Sequence, residues 1–385
     1  MTALQRYLDF NATCPPVEAS ISAWNEAVRQ AAGNASSIHW AGRSARRMLD
    51  DARDEFSAYI GADSDDVVFT SGGTESNNMA IHGWLAGKAP GKIVASAIEH
   101  PSVFKPLERY ALNGWDLALI PPDEDGVVCA DAFIDALNDD TRLACLMAAN
   151  NETGAVQAVA DVGSVCKARN IPLLVDAVQL LGKAPLDVSG WQADFVSFSA
   201  HKIGGPKGVG ALVLDRTRAL QPLTCGGGQE RGRRPGTENV PGVAGFAAAL
   251  GVLDFSQVES VRDGFEARLL ERVAGAHIFS RDAHRLANTS MFSLPDIDGE
   301  TLLMQLDLAG FAVASGSACS SGLRSVSHVL MAMGCSEEIA RNSVRVSFGP
   351  GNTLDDADAL LGELATIRER LLAMAGSGSF PRVDQ

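Results

Sequence analysis

Paired cysteines, long apolar runs and an excess of positive charge are all missing from this sequence of 385 residues. Its seven cysteines, at positions 14, 129, 145, 166, 225, 319 and 335, are odd in number and dispersed, with no C-x-x-C pair. That fits neither a disulfide framework nor a zinc site, so no metal is expected, and most of the thiols read as small buried hydrophobes. The formal charge of -15 argues against nucleic acid or an anionic membrane as a general partner. The one basic cluster, Arg231, Arg233 and Arg234, is too short to reverse that; it reads as a solvated loop or as one facing a phosphate or another subunit. Residues 1–9 have no apolar core of the kind a signal peptide carries. The longest uncharged apolar stretch, 240–253, contains Pro241 and three glycines and is too short to span a bilayer. A cytoplasmic protein is expected.

What is present is ordinary globular composition, 46% hydrophobic and 21% charged, in a chain long enough for one large or two smaller domains. Residues 1–43 read as an irregular lead-in around one helix at 19–32. A helical stripe of Met48, Leu49, Ala52, Phe56 and Ile60 follows. From there strands at 67–70, 92–97, 117–120, 143–148, 172–175, 194–198 and 210–214 alternate with helices, among them 71–85, 130–137 and 159–169. Nearly continuous apolar strands in repeated βα units predict an α/β protein with a mainly parallel sheet flanked by helices. After Pro241 the texture changes to a long helical region, 243–273, and shorter strands at 290–294, 312–315 and 343–347. This predicts a smaller α+β domain joined through a long helix.

Chemistry gathers where strands end. Ser199-Ala-His-Lys202 follows an apolar strand and runs into glycines. A lysine walled by apolar residues is where an amine loses its proton and becomes a nucleophile. Glycines and hydroxyls beside it suit a phosphate, so lysine plus phosphate site suggests pyridoxal 5'-phosphate; the alternative is a glycine-rich surface turn. Ser71-Gly-Gly73-Thr74, between a strand and a helix, is an anion cradle or a plain helix cap. His100 follows the strand at 92–97, placed to stack on a flat cofactor or simply to hydrogen-bond its own loop. Asn150-Asn151-Glu-Thr-Gly154 offers amides for a ring oxygen or a substrate carboxylate, or an Asx turn. Asp176 ends a very apolar strand, where a carboxylate is costly unless paired; a pyridinium nitrogen would pair it, and Gln179 could reach a ring hydroxyl. The other reading of Asp176 is a helix cap. Cys319 stands in the small polar run Ser315-Gly-Ser-Ala-Cys319, unlike a core cysteine, and the run is expected to be mobile. Arg345 alternates with apolar neighbours on a short strand and could fork onto a carboxylate.

Each signal is modest alone; their order is specific. Tyr7-Leu-Asp-Phe-Asn-Ala-Thr13, Phe69-Thr-Ser-Gly-Gly-Thr-Glu-Ser76, Glu99-His-Pro101, Asn150-Asn-Glu-Thr-Gly154, Val175-Asp-Ala-Val-Gln179, Ser199-Ala-His-Lys202, Gly226-Gly-Gly-Gln-Glu-Arg-Gly232, Arg234-Pro-Gly-Thr-Glu-Asn239 and Ser315-Gly-Ser-Ala-Cys319 span nearly the whole chain. Together they resemble the NifS/IscS-type cysteine desulfurases of the class V aminotransferase group. The resemblance implies an aspartate-aminotransferase-like fold and a homodimer with active sites at the subunit interface. It places a large domain at 16–250 and a small one made of 1–15 and 251–385. It makes Lys202 the Schiff-base lysine, with Asp176 on the pyridine nitrogen, Gln179 on the ring hydroxyl, and His100 stacking on the ring and assisting proton transfer. Gly73, Thr74, Ser199 and His201 hold the phosphate, joined by Thr237 of the other subunit. Asn151 and Arg345 bind the substrate carboxylate, and Cys319 takes sulfur from L-cysteine as a persulfide. The implied partner is a sulfur acceptor or iron-sulfur scaffold protein. Phe10, Cys14 and the run 323–328 depart from the family's usual residues. The rivals are another enzyme of the same fold, such as an aminotransferase or selenocysteine lyase, a non-catalytic scaffold, and a metal-binding thiol protein.

Overall fold

The computed structural model describes residues 5–295, 297–315 and 326–376. Seven strands form the main sheet, in the order Val67–Thr70, Gly210–Leu214, Phe195–Ser199, Leu173–Asp176, Thr141–Cys145, Lys92–Ser96 and Asp116–Ile120. Gly210–Leu214 runs antiparallel to both neighbours; the other pairings are parallel. Successive strand residues point to opposite faces, and here each face meets its own core. Val67, Phe69, Val94, Val175, Val196 and Phe198 enter one cluster. Val68, Ile93, Ala95, Leu174, Phe195 and Leu212 enter the other. Helices cover both sides, which is why these strands read as unbroken apolar runs.

The helix that carries the stripe from Met48 to Ile60 begins at Trp40, because the His39 ring accepts the Gly42 N–H and caps it. It ends at Ile60, where Gly61 takes a left-handed φ of 69° that a side chain would resist. The single long helix expected over 243–273 is two helices, Val240–Ala247 and Val258–Arg272. Gly251 adopts a φ of 67°, and the Asp254 carboxylate accepts the Ser256 N–H in an Asx turn, so the backbone leaves the helix between them.

The second sheet is antiparallel, in the order Ser343–Ser347, Thr289–Ser293, His277–Phe279. With the helices Val258–Arg272, Gly299–Leu308 and Leu354–Gly376 it encloses a separate core, in which Phe265 meets Phe292 and Phe348 at 5.7 Å between ring centres. Leu8 belongs to this core. The strand Arg6–Tyr7 pairs with Phe311–Ala312, and Asp9 bridges to Ser347. The start of the chain is therefore stitched to its far end before crossing, at Asn11 and Ala12, to the main sheet.

Candidate active site

Parallel strands deliver their C-terminal ends, and the helices that follow deliver their N-termini, to one edge of a sheet. On that edge lies a cavity of about 250 Å³ lined by Gly73, Thr74, His100, Asn151, Asp176, Gln179, Ser199, His201 and Lys202. The structure thus gathers nine residues singled out from five separate motifs. A shallower hollow continues from it past Ser71, Gly72 and Lys207.

Asp176 is the last residue of its strand and only 5% exposed. One carboxylate oxygen accepts the Val178 N–H at 3.0 Å, the other the Asn77 side-chain amide at 2.8 Å. Asn77 lies in the first turns of the helix Gly73–Leu85 and also donates to Ser102 Oγ at 2.9 Å. His100 caps the helix Pro101–Ala111, its Nδ1 accepting the Ser102 N–H at 3.1 Å. Burial is the main cause holding the His100 pKa below its usual value, with Asp176 opposing and Lys202 and His328 adding to the fall.

Lys202 stands on the single 3-10 turn Ala200–Lys202 that ends the strand Phe195–Ser199. Its Nζ donates to the backbone oxygens of Asn11 and Ala12, the second at 2.9 Å. A second amine lies beneath it. Lys183 is buried and donates to Asn11 Oδ1 at 2.7 Å and Gln179 Oε1 at 2.9 Å, while Gln179 Nε2 donates to Asn11 O at 3.0 Å. Burial pushes the Lys183 pKa down to about 7. Asn11 is held by Ser347 Oγ, Thr289 Oγ1 and Asn288 Nδ2, so the second core positions the groups that face Lys202 and Gln179.

The other end of the cavity suits an anion. No side chain among the described residues caps the helix Gly73–Leu85, so its first N–H groups and dipole are available. A Cβ on Gly73 would come within 2.6 Å of Val178, so only glycine allows this approach. Burial, helped by Lys202, Lys207 and Lys183, pushes His201 down to about 4; at neutral pH it is an uncharged hydrogen-bonding group. An amine, a carboxylate and an uncapped helix start around one cavity fit pyridoxal 5'-phosphate, whose aldehyde, ring nitrogen and phosphate ask for those three partners.

Two expected residues lie apart from the cavity lining. Arg345 is buried with Nη1 on Asn151 O at 2.8 Å and Nη2 on Asp9 at 2.7 Å; its Nε has no partner among the described residues. Thr237 is exposed, on the loop that Arg234 ties to Glu75 at 2.9 Å. Cys319 lies outside the described residues. On one side of it Ala314 bridges to Arg345, and on the other Ser327 bonds Glu152 and His328 Nε2 meets Glu99 O at 3.0 Å.

Sequence reasoning missed Asn77, Ser102, Lys183 and Glu99. Spacing held a usable signal: Asn77 is one helical turn past Gly73, and Lys183 is four residues past Gln179. Glu99 is fully buried, its Oε1 accepting from Ser96 Oγ at 2.6 Å and Met147 N at 2.7 Å. Burial is the main cause raising its pKa to about 8 from 4.5, so it is protonated at neutral pH. A carboxyl raised in the fold lends stability that is full below about pH 4.5 and lost as pH rises through about 8. Urea unfolding at a series of pH values should show the wild type losing stability across that window faster than Glu99→Gln, by up to about 1.4 kcal/mol per pH unit. Equal slopes would mean that Glu99 is already ionised in the fold.

The fold and this cavity define a pyridoxal 5'-phosphate enzyme. The aminotransferase class-V family model matches residues 6–360. The chain belongs to that family, within its NifS/IscS-type cysteine desulfurase group. It is 38% identical over 373 residues to the cysteine desulfurase IscS of Dictyoglomus turgidum, covering 95% of each chain. Among solved structures it resembles a NifS-like protein with a TM-score of 0.88 at 33% identity, over 95% of this chain and all of that one. SspA in complex with cysteine gives a TM-score of 0.81 at 30% identity, over 90% of this chain and all of that one.

Proposed function

We propose that this protein is a cysteine desulfurase that converts L-cysteine to L-alanine and passes the sulfur to Cys319 as a persulfide, for iron-sulfur cluster assembly or related sulfur transfer. The observation that carries the reading is the pairing of Lys202 with Asp176 around one cavity beside an uncapped helix start. Bound there, pyridoxal phosphate supplies an electron sink for the charge left on the substrate Cα when its proton departs.

The chain's own residues do the rest. Asp176, fixed by Asn77 and Val178 N–H, keeps the ring nitrogen protonated. Gln179, steadied by Lys183, would hold the ring hydroxyl, and His100 would stack on the ring. Gly73, Thr74, Ser199 and His201 hold the phosphate, with Thr237 of a second copy. Lys202 would hold the cofactor's aldehyde carbon and, as a free amine, would move the substrate Cα proton. Asn151 and Arg345 orient the substrate carboxylate. The Cys319 thiolate attacks the substrate sulfur: an S–S bond forms, the Cβ–S bond breaks, and its electron pair stays with carbon, which takes up a proton as alanine.

A homodimer belongs to this reading. It is supported by Ile38 and Trp40, 91% and 76% exposed, and by the Glu238 carboxylate, buried with no hydrogen-bond partner among the described residues. No described helix is long and apolar enough to cross a membrane. The reading places the enzyme in the cytoplasm, where its described free thiols stay reduced.

Incubation with L-cysteine alone tests the activity. Alanine should appear in equal amount with protein-bound or released sulfur, without any 2-oxo acid. A requirement for a 2-oxo acid acceptor would identify an aminotransferase instead.

A further inference from the structure

Four side chains on three elements form one directed line of hydrogen bonds beneath the cavity. An ionised Asp176 only accepts, so the amino end of the Asn77 amide must face it. The cost of that orientation is visible: Asn77 Oδ1 is buried without a partner among the described residues. The second Asn77 N–H is spent on Ser102 Oγ at 2.9 Å. A hydroxyl that accepts there keeps its own hydrogen for the next neighbour, His100 Nδ1, at 2.7 Å. The Ser102 backbone N–H points at the same nitrogen from 3.1 Å. A ring nitrogen that receives two hydrogens carries a lone pair, not a proton.

We propose that Ser102 and Asn77 are positioning residues that lock His100 as the neutral imidazole bearing its hydrogen on Nε2. His100 then has a hydrogen to offer at Nε2 and no lone pair there. It serves as a hydrogen-bond donor and a stacking plate, and proton acceptance falls to Lys202. Imidazolium would require a hydrogen on Nδ1, aimed at the Ser102 hydroxyl hydrogen and the first turn of its own helix, whose dipole also disfavours it. The surrounding charges are divided. Asp176, on the strand end, favours a charged ring; Lys202 on its 3-10 turn and His328 on the helix His328–Ala332 oppose it, and Glu99 next door is protonated. The tautomer follows from hydrogen bonds alone; only what His100 serves rests on the proposed desulfurase function.

The test is nitrogen NMR of the holoenzyme grown with 15N-histidine, the His100 signals being assigned among the seven histidines by their loss in His100→Gln. A pyridine-like Nδ1 and a pyrrole-like Nε2, unchanged from about pH 6 to 8, are expected. A hydrogen on Nδ1 at neutral pH overturns the proposal. Ser102→Ala should raise the His100 pKa by about one unit, a tenfold shift in protonation, and carry the acidic limb of kcat/KM with it; Ser102→Thr should restore both. The lysine-bound cofactor absorbance should persist in Ser102→Ala, which separates lost positioning from lost folding. An unshifted pKa in folded Ser102→Ala overturns the role of Ser102. Should the wild type make no alanine from cysteine, the proposed function fails while the nitrogen spectrum still decides the tautomer.

Discussion

Lys202→Ala should lower alanine formation from L-cysteine by roughly 10⁴-fold, the combined weight of a covalent anchor and a placed proton carrier. Nothing else on the cavity wall can replace it. The nearby amine, Lys183, is committed to Asn11 and Gln179 and lies beneath the wall. His100 is shut out of the same work by two donors on Nδ1. The variant should still fold, because Asn11, whose backbone oxygen the Lys202 amine meets, has other anchors in Ser347 and Thr289. It should bind the cofactor through Asp176 and the helix start, without the absorbance of a lysine adduct and without an adduct after borohydride. Turnover within about tenfold of wild type would remove Lys202 from the chemistry.

Cys319→Ala should be as damaging to sulfur release, by about 10³-fold or more, yet spare the steps before it. Exchange of the substrate Cα hydrogen in heavy water depends on Lys202 and on the ring nitrogen held by Asp176. It should continue at close to the wild-type rate while alanine and sulfur do not appear. That split distinguishes a desulfurase from an aminotransferase of the same family, which needs no thiol. Unchanged alanine and sulfur release in the variant would end the proposed role of Cys319.

Much of this was legible because the site is built at element boundaries. Gly73, His100, Asp176 and Ser199 stand where an apolar run stops or a helix starts, and such places show in sequence. The strands were legible for a related reason: each face of the main sheet meets its own core, so neither face offers a polar alternation to blur them. The supporting residues were opaque because their meaning is non-local. Lys183 reads as a loop lysine until Asn11 arrives from 172 residues away, and Asn77 as a helix start until Asp176 arrives from 99. The break near Gly251 was masked by apolar residues on both sides of it. Its cause is a single left-handed glycine followed by an Asx turn, which a periodicity argument reads through.

The stitching of Asn11 to Ser347 has a consequence for biogenesis. During translation the main sheet can assemble early, but the oxygen that faces Lys202 finds its seat only when the strand Ser343–Ser347 has left the ribosome. Nascent chains halted before that strand should therefore be protease-sensitive around Asn11, and capture of the coenzyme becomes a late checkpoint of maturation.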